Sequence, residues 1–389
     1  MQVDQPLPLL GGLSPALFMK RHWHKKPLLI RQAIPGLQPL LERGQLVDLA
    51  AREEVQSRLV LQQAHSAKQP WRLRHGPFTR RSLPPWKQPG WTLLVQSVDL
   101  HDARIHALRE QFRFVPDARL DDIMISYASD GGGVGPHFDS YDVFLLQAQG
   151  RRRWRIGRQK DLTLQEGMPL KILADFQPDQ EFVLEAGDML YLPPRYAHDG
   201  VALGECMTYS IGFRAPDQVE LAQALLQGLA EQTADAMAPQ RYRDPGQRAA
   251  TCPAQIPAEL HAFAQAALAK ALRDPQGLAR TLGEFLSEPS PSVWFAPEGG
   301  GADLQRGVRL DQRTRMLYDA RHIFINGESF QASGRDAQLV RQLADHQVLD
   351  AGQCARLSPG AAQLLGQWLD SGWLQPLTEP GAAHRVKKA

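Results

Sequence analysis

Two histidines and one aspartate have the types and the spacing of a metal site. His137 and Asp139 form an H-x-D pair that closes the Gly-rich run 131–139, and His198 closes the run 187–198. Two imidazoles and one carboxylate on one side of a metal are the ligand set of non-haem Fe(II) oxygenases. The three residues therefore predict a catalytic Fe(II) centre.

The spacing also says which elements must hold these side chains. Because residues i and i+2 of a strand project from the same face, we expect His137 and Asp139 to point together into a barrel. His198 must come from a second strand or its entry loop, since three ligands of one strand cannot surround an ion. Such a site leaves positions open for a bidentate co-substrate and dioxygen, whereas structural zinc prefers closed sets of Cys and His.

A strand-like run of arginines supplies a second candidate group, Arg152. Read at period two, the run 151–156 has one basic face and one face that is apolar apart from Arg152. A guanidinium among apolar neighbours needs a carboxylate partner, and this strand offers none. A bound dicarboxylate such as 2-oxoglutarate would satisfy it. Alternatively, Arg152 pairs with a protein carboxylate elsewhere, or the strand is merely a basic surface.

The segment from Leu13 to Arg214 resembles the JmjC class of 2-oxoglutarate- and iron-dependent protein hydroxylases, and within it the bacterial ribosomal oxygenases. The matching stretches are 121–126, 131–139, 141–144, 150–155, 185–198 and 209–214. The resemblance implies that Fe(II) is held by His137, Asp139 and His198. It also implies that Arg152, helped by Ser126, holds the far carboxylate of 2-oxoglutarate, and no position of these five departs from the pattern.

The same resemblance implies the architecture and the reaction. The fold is expected to be α+β, with a double-stranded β-helix (JmjC/cupin) barrel followed by a helical dimerisation region and a C-terminal winged-helix-like domain. The reaction expected of the family is 3-hydroxylation, at the β-carbon, of an arginine in a ribosomal protein of the large subunit. The resemblance further implies that the protein is a homodimer.

Three residues near the mouth of the expected barrel are candidates for contact with the substrate. Asp130, Tyr141 and Asp142 flank the metal-binding run, and an acidic group there could receive the guanidinium of a substrate arginine. An equally weighted alternative is that Asp130 serves the turn and Asp142 pairs with one of the nearby arginines.

Changes in amino-acid composition and in the period of the apolar residues divide the chain into three expected domains. Residues 1–215 are expected to form the JmjC catalytic domain, 216–290 the helical dimerisation domain and 300–380 the winged-helix-like domain. The helical middle could instead pack on the barrel as a covering layer, because periodicity does not separate the two arrangements. Acidic residues offset the arginines of the C-terminal domain, which favours contact with protein over DNA binding.

The composition agrees with a soluble enzyme, and we expect a cytoplasmic location. The chain has 389 residues, a hydrophobic fraction of 43%, a net charge of +2 and three cysteines without a C-x-x-C pair. This cysteine usage suits a reducing compartment, and we expect neither a secretory signal nor a membrane span.

Other functions remain open at the level of residues. The barrel could be a metal-binding cupin that acts on a small molecule, although Arg152 and the additional domains argue against it. The chain could be a non-catalytic adaptor, although the intact ligand set disfavours this. Within the oxygenases, demethylation of a methylated lysine or arginine uses the same iron centre.

Overall fold

The computed structural model describes residues 2–62, 70–236, 238–249, 251–273, 275–296 and 304–377, without the side chains of 233–236 and 275. The chain divides into two compact units, Met1–Ala215 and Pro216–Ala389. The two ends of the expected winged-helix-like domain, 300–303 and 378–380, lie outside the described residues.

The first unit is built around one antiparallel sheet of nine strands, which follow the order β1-β8-β6-β9-β5-β4-β2-β3, with β7 paired to β6. The strands are β1 (Leu28–Ile30), β2 (Ser57–Gln62), β3 (Trp71–His75), β4 (Trp91–Val95), β5 (Leu120–Ala128), β6 (Val143–Gly157), β7 (Gln180–Leu184), β8 (Met189–Leu192) and β9 (Ala197–Phe213). Helices α1 (Pro15–Arg21), α2 (Arg43–Ala50) and α3 (Ala103–Glu110) accompany the sheet.

Apolar side chains fill both faces of the central strands. On β6, Phe144 and Leu146 belong to the large core that also takes in the helices, whereas Val143 and Leu145 belong to a smaller inner cluster with Trp154. Alternate residues of a strand face opposite sides, so a strand with two cores reads as a continuous apolar run. The long pairing of β6 with β9 carries Arg152 and Trp154 on β6 and His198 on β9.

The second unit contains three helices and a small α/β module. The helices are α4 (Gln218–Ala236), α5 (Ala258–Ala271) and α6 (Pro275–Ser287). The module contains two three-stranded sheets, ordered β14-β10-β15 and β11-β12-β13. Its elements are β10 (Gly307–Leu310), β11 (Met316–Tyr318), β12 (His322–Ile325), β13 (Glu328–Gln331), α7 (Gly334–His346), β14 (Val348–Asp350), α8 (Ala351–Cys354), α9 (Pro359–Asp370) and β15 (Leu374–Pro376).

Helix α6 packs against both parts of the second unit. A Cβ added at Gly228 of α4 would lie 2.3 Å from the Thr281 side chain of α6, and one added at Gly283 would lie 2.2 Å from the Phe324 ring of β12. Helix α6 is therefore fastened to α4 and to the β11–β13 sheet, because both contacts leave no room for a larger side chain.

Helix α5 contrasts with α6, since no residue along its described length is buried. Large apolar side chains project from α4, α5 and their flanks, with Leu226 exposed by 55%, Leu268 by 58% and Leu272 by 49%. Within the described residues, no helix has the length and hydropathy required to cross a bilayer.

Candidate active site

The metal-site residues anticipated from sequence come together in space. One candidate ligand atom from each of His137, Asp139 and His198 can be chosen such that all three lie within 4.8 Å of one another. The Nε2 atom of His198 lies 3.6 Å from a carboxylate oxygen of Asp139, and the two imidazole rings have centroids 4.2 Å apart. These separations suit one small cation bound by three ligands.

Backbone pairing between distant segments sets this convergence. His198 is the second residue of β9, and it exchanges two hydrogen bonds with His137, of 2.9 and 2.8 Å between amide nitrogen and carbonyl oxygen. The carbonyl oxygen of Asp139 accepts a 2.7 Å bond from the amide of Arg195. The pair preceding β6 is thus fastened to the entry of β9.

The local conformation of the H-x-D pair differs from the sequence expectation. His137 forms only an isolated bridge and Asp139 lies in irregular structure, whereas regular strands end at Ala128 and resume at Val143. The reason is the intervening glycine- and proline-rich run, which forms turns rather than a continuous ladder. Convergence of the ligands therefore depends on the contacts of this loop and not on the alternation of one strand.

Both imidazoles present the same nitrogen to the site. His137 Nδ1 lies 2.8 Å from the carbonyl oxygen of Gly135, and His198 Nδ1 lies 2.9 Å from that of Tyr196. A carbonyl oxygen only accepts, so each Nδ1 carries a proton and each Nε2 keeps its lone pair. Ligating histidines in metal proteins are commonly held in this way.

Burial keeps His198 in the form that binds metal. Its side chain is 3% exposed, and desolvation, followed by the nearby His137, lowers the pKa of His198 to about 4. A neutral imidazole therefore prevails at physiological pH, as a ligand requires.

A tryptophan and a glycine define the wall behind His198. The Trp154 ring lies 5.8 Å from the His198 ring between centroids, and a Cβ added at Gly200 would lie 2.6 Å from the Trp154 indole. Glycine is required at position 200 because the indole occupies the space of any larger side chain.

The Arg152 guanidinium also lies near Trp154, with its carbon 5.5 Å from the centre of that ring. It is 5% exposed, and its Nη1 donates to the hydroxyls of Ser126 and Thr208, both at 3.2 Å. Among the described residues no carboxylate forms an ion pair with Arg152, and its Nε–H has no hydrogen-bond acceptor. A buried cation with only hydroxyl partners is prepared to bind an anion, such as the carboxylate of a ligand.

Sequence reasoning missed two residues of this anion site. Thr208 lies opposite both Ser126 and Gln147 in the register of the sheet, and it donates a 3.0 Å hydrogen bond to the Gln147 side chain. Both side chains are fully buried. Their polarity in buried strands was the available signal, but only the register shows that Thr208 meets Arg152 and that Gln147 supports Thr208.

The three candidates for substrate contact have different surroundings. Tyr141 is 39% exposed, and Asp139 lies near enough to act electrostatically on its hydroxyl. Asp130 is exposed, and its carboxylate accepts a 2.7 Å bond from the amide of Gly204. This bond ties the Asp130 side chain to β9 and gives its carboxylate a protein partner.

Asp142 is buried within a polar cluster. Its carboxylate accepts a 2.5 Å bond from the Tyr191 hydroxyl and lies 2.9 Å from His24 Nε2 and 4.0 Å from Arg119. These contacts indicate a structural role and lend no support to a substrate contact by Asp142.

Comparisons with known proteins agree with this architecture. A model of the JmjC domain matches residues 107–221, and a model of the ROXA-like winged helix matches residues 270–375. The fold and the His–Asp–His cluster therefore define a JmjC-class protein with an appended winged helix, which confirms the predicted barrel, helical region and winged-helix-like domain.

Comparison with individual relatives identifies the family within the JmjC class. The chain is 36% identical over 334 residues to ribosomal protein uL16 3-hydroxylase of Escherichia coli, covering 82% of this chain and 86% of that protein. It is 26% identical over 203 residues to human ribosomal oxygenase 1, covering 49% of this chain and 31% of that protein. The chain belongs to the ribosomal oxygenase family, as its motifs predicted.

Solved structures give the same result. The crystal structure of E. coli YcfD has a TM-score of 0.80 at 30% identity, covering 92% of this chain and 96% of that one. YcfD in complex with cobalt and 2-oxoglutarate, described as a ribosomal oxygenase, has a TM-score of 0.77 with the same coverage and identity.

Proposed function

We propose that this chain is a 2-oxoglutarate- and Fe(II)-dependent hydroxylase that acts on the β-carbon of an arginine in a large-subunit ribosomal protein. The observation that carries the proposal is that the His–Asp–His cluster and the buried Arg152 share Trp154 as a neighbour, at 5.8 Å from the His198 ring and 5.5 Å from the Arg152 guanidinium carbon. A metal site beside a site for a carboxylate matches the two ends of 2-oxoglutarate. The choice of substrate is supported by the similarity of the chain, over most of its length, to the uL16 3-hydroxylase of E. coli.

The residues fit both groups. His137, Asp139 and His198 would hold Fe(II) on one side, and Arg152, with Ser126, would bind the far carboxylate of 2-oxoglutarate. When bound, Fe(II) supplies the chemistry that couples oxidation of 2-oxoglutarate to hydroxylation of a C–H bond. In the balanced reaction one atom of dioxygen enters the arginine and the other enters succinate, with release of carbon dioxide.

The protein contributes position and shielding. Arg152 and its hydroxyl partners fix one end of the co-substrate, while the Nδ1 hydrogen bonds hold both imidazoles in place. The Trp154 ring lies near both His198 and Arg152 and so lines the site. Tyr141, exposed beside Asp139, is the residue that we propose meets the substrate; Asp130 and Asp142 have protein partners for their carboxylates.

Intact-protein mass spectrometry tests the reaction. Purified protein is mixed with Fe(II), 2-oxoglutarate, oxygen and recombinant large-subunit ribosomal protein, with an Asp139→Ala variant as control. A gain of one oxygen that maps to an arginine and is absent in the control is the expected result. Loss of a methyl group would indicate demethylation. No succinate with any substrate would refute the oxygenase, and succinate with other extracts only would refute the substrate.

We further propose the following organisation: 1–215 is the catalytic domain, 216–290 makes a homodimer and 300–380 contacts protein rather than DNA. The exposed leucines of α4 and α5 support dimerisation, because several large apolar side chains on neighbouring stretches of chain often mark an interaction surface. A cytoplasmic location is proposed as well, supported by three cysteines that are all free. Cell fractionation with an antibody against the chain tests the location.

A further inference from the structure

A continuous stretch of the first unit is strongly basic. Residues 55–98 contain seven lysines and arginines and no aspartate or glutamate, whereas the entire chain carries a net charge of only +2. The rest of the chain is therefore net acidic, and positive charge is concentrated in the strands β2 and β3 and in the connections that follow them. A concentration of this kind generates a local positive potential that net charge does not reveal.

The fold gathers part of this charge at one edge of the sheet. Strand β3 is the last strand, and Arg72 and Arg74 project from the same face of it. Arg74 Nη1 donates a 3.2 Å bond to the carbonyl oxygen of Ser82, which brings the short helical turn Arg80–Ser82 beside the strand. We name as the basic edge the exposed residues Arg72, Arg74, Arg80, Arg81 and Lys87.

The charges of the basic edge are not neutralised by protein carboxylates. No ion pair joins any of its five residues to an acidic group in the part of the chain that the structure describes. The neighbouring Glu205 pairs with Arg43 at 2.6 Å. Uncompensated surface cations of this density favour a polyanionic partner.

Aromatic stacking adds a second feature to the basic edge. The Arg80 guanidinium carbon lies 3.7 Å from the centre of the half-buried Trp86 ring, and the Arg43 carbon lies 4.2 Å from it. The indole thus holds the Arg80 guanidinium plane in place at the surface. Unpaired bases of RNA stack on aromatic rings and on arginine planes of this kind.

We propose that the basic edge is a binding site for single-stranded RNA, in which its cations contact phosphates and the Arg80–Trp86 pair contacts a base. An anionic membrane is the weaker candidate, because surface-bound proteins add exposed apolar side chains to their cations. Among the described residues of the first unit, the exposed large hydrophobic side chains are Val3 and Tyr141, and neither belongs to the basic edge. An acidic peptide would leave the stacking pair unused.

Fluorescence anisotropy with labelled single-stranded RNA tests the site on the full chain. The triple variant Arg72→Ala, Arg81→Ala and Lys87→Ala removes exposed side chains that form no hydrogen bond, ion pair or ring contact within the described part of the chain. We expect at least tenfold weaker binding at low salt. The slope of log affinity against log salt should fall by about 2, as expected when about three phosphate contacts to a single strand are lost.

A second triple variant provides the matched control. Arg21→Ala, Arg52→Ala and Lys160→Ala remove the same charge from exposed positions elsewhere in the first unit. Affinity close to that of the unmodified chain is expected. Equal losses of RNA affinity in both variants would overturn the proposed RNA site, because net charge alone would then explain binding. Circular dichroism and thermal melting show that both variants are folded.

Three further results would overturn the proposal. These are no RNA binding by the unmodified chain at 50 mM salt, equal affinity for polyglutamate, and tighter binding to vesicles that contain anionic phospholipid. Hydroxylation of free ribosomal protein is measured in parallel and should be unchanged in the basic-edge variant. RNA binding without hydroxylation would support the basic edge and refute the proposed function. Hydroxylation without RNA binding would refute the basic edge and support the proposed function.

Discussion

At the scale of the residue, substitution of Arg152 tests how the protein binds its co-substrate. Arg152→Ala removes a buried cation whose hydrogen bonds to a bound carboxylate are worth about 1.5–3 kcal/mol. We expect the apparent KM for 2-oxoglutarate to rise roughly tenfold to a hundredfold. Initial rates at varied 2-oxoglutarate, with the ribosomal protein substrate held constant, give this value.

Arg151→Ala is the control for this prediction. The exposed Arg151 precedes Arg152 on β6 and projects from the opposite face, so its removal lowers the same net charge without touching the anion site. An unchanged KM in Arg152→Ala, or an equal rise in both variants, would contradict the assignment of Arg152.

His198 links the site to the stability of the metal-free protein. Its pKa is lowered in the folded chain to about 4 from an ordinary value near 6.5, so the unfolded chain binds more protons between these values. Folding therefore loses stability as pH falls from about 6.5 to 4, by up to about 3 kcal/mol for this group. Urea unfolding of metal-free protein at several pH values measures the effect.

The comparison requires a His198→Gln variant, because other groups titrate over the same range. Burial, and next Asp99, raise the pKa of Asp122 to about 7, which stabilises the fold at low pH and opposes the effect of His198. We expect the difference between the two proteins to shrink or reverse on acidification. A constant difference from pH 7 to 4 would show that His198 does not titrate as described.

At the scale of the element, the contact of β9 with Trp154 is a packing constraint next to a metal ligand. Gly200→Ala places a methyl group at 2.6 Å from the indole, so β9 or Trp154 must shift. Overpacking of this kind costs about 1–3 kcal/mol. We expect a lower melting temperature and weaker Fe(II) binding, measured by thermal unfolding and by metal titration.

Gly212→Ala on the same strand serves as the comparison. There the added methyl group would meet its nearest neighbour, the Asp122 side chain, at an ordinary 3.5 Å. Its effect on metal binding should be small. Equal losses of metal affinity in the two variants would mean that the Gly200–Trp154 contact does not shape the site.

The sequence predicts the structure of some elements better than that of others. The alternation of β6 anticipated a buried Arg152 between exposed or half-buried arginines, because the period of a strand is fixed by its backbone. The loop that carries Asp139 was expected to be a strand, which was wrong. The glycines of this loop permit turns, and turns do not follow the alternation of a strand. The conformation of the loop is instead set by its backbone hydrogen bonds to β9 and to the residues just before it.

At the scale of the whole molecule, the exposed apolar side chains of α4 and α5 predict self-association. Leu226→Glu combined with Leu268→Glu places two charges in the expected interface, where burying an unpaired charge is costly. We expect a dimer for the unmodified chain and a shift toward the monomer for the variant. Light scattering coupled to size-exclusion chromatography measures the mass of each.

Gln223→Glu with Gln265→Glu is the matched control. Both glutamines are exposed on the same helices, so these substitutions add the same charge and remove no apolar surface. Monomeric unmodified protein would refute the dimer. Dissociation in both variants alike would assign the effect to charge and not to the leucines.

The sequence by itself determined the chemistry of the protein: which side chains could bind a metal, which cation needed a carboxylate, and to which family the motifs point. These properties reside in residue types and short spacings. The tertiary structure alone decided that Thr208 and Gln147 join the anion site and that His137 is fastened to His198. Each of these depends on register between segments distant in the chain, which no local pattern encodes.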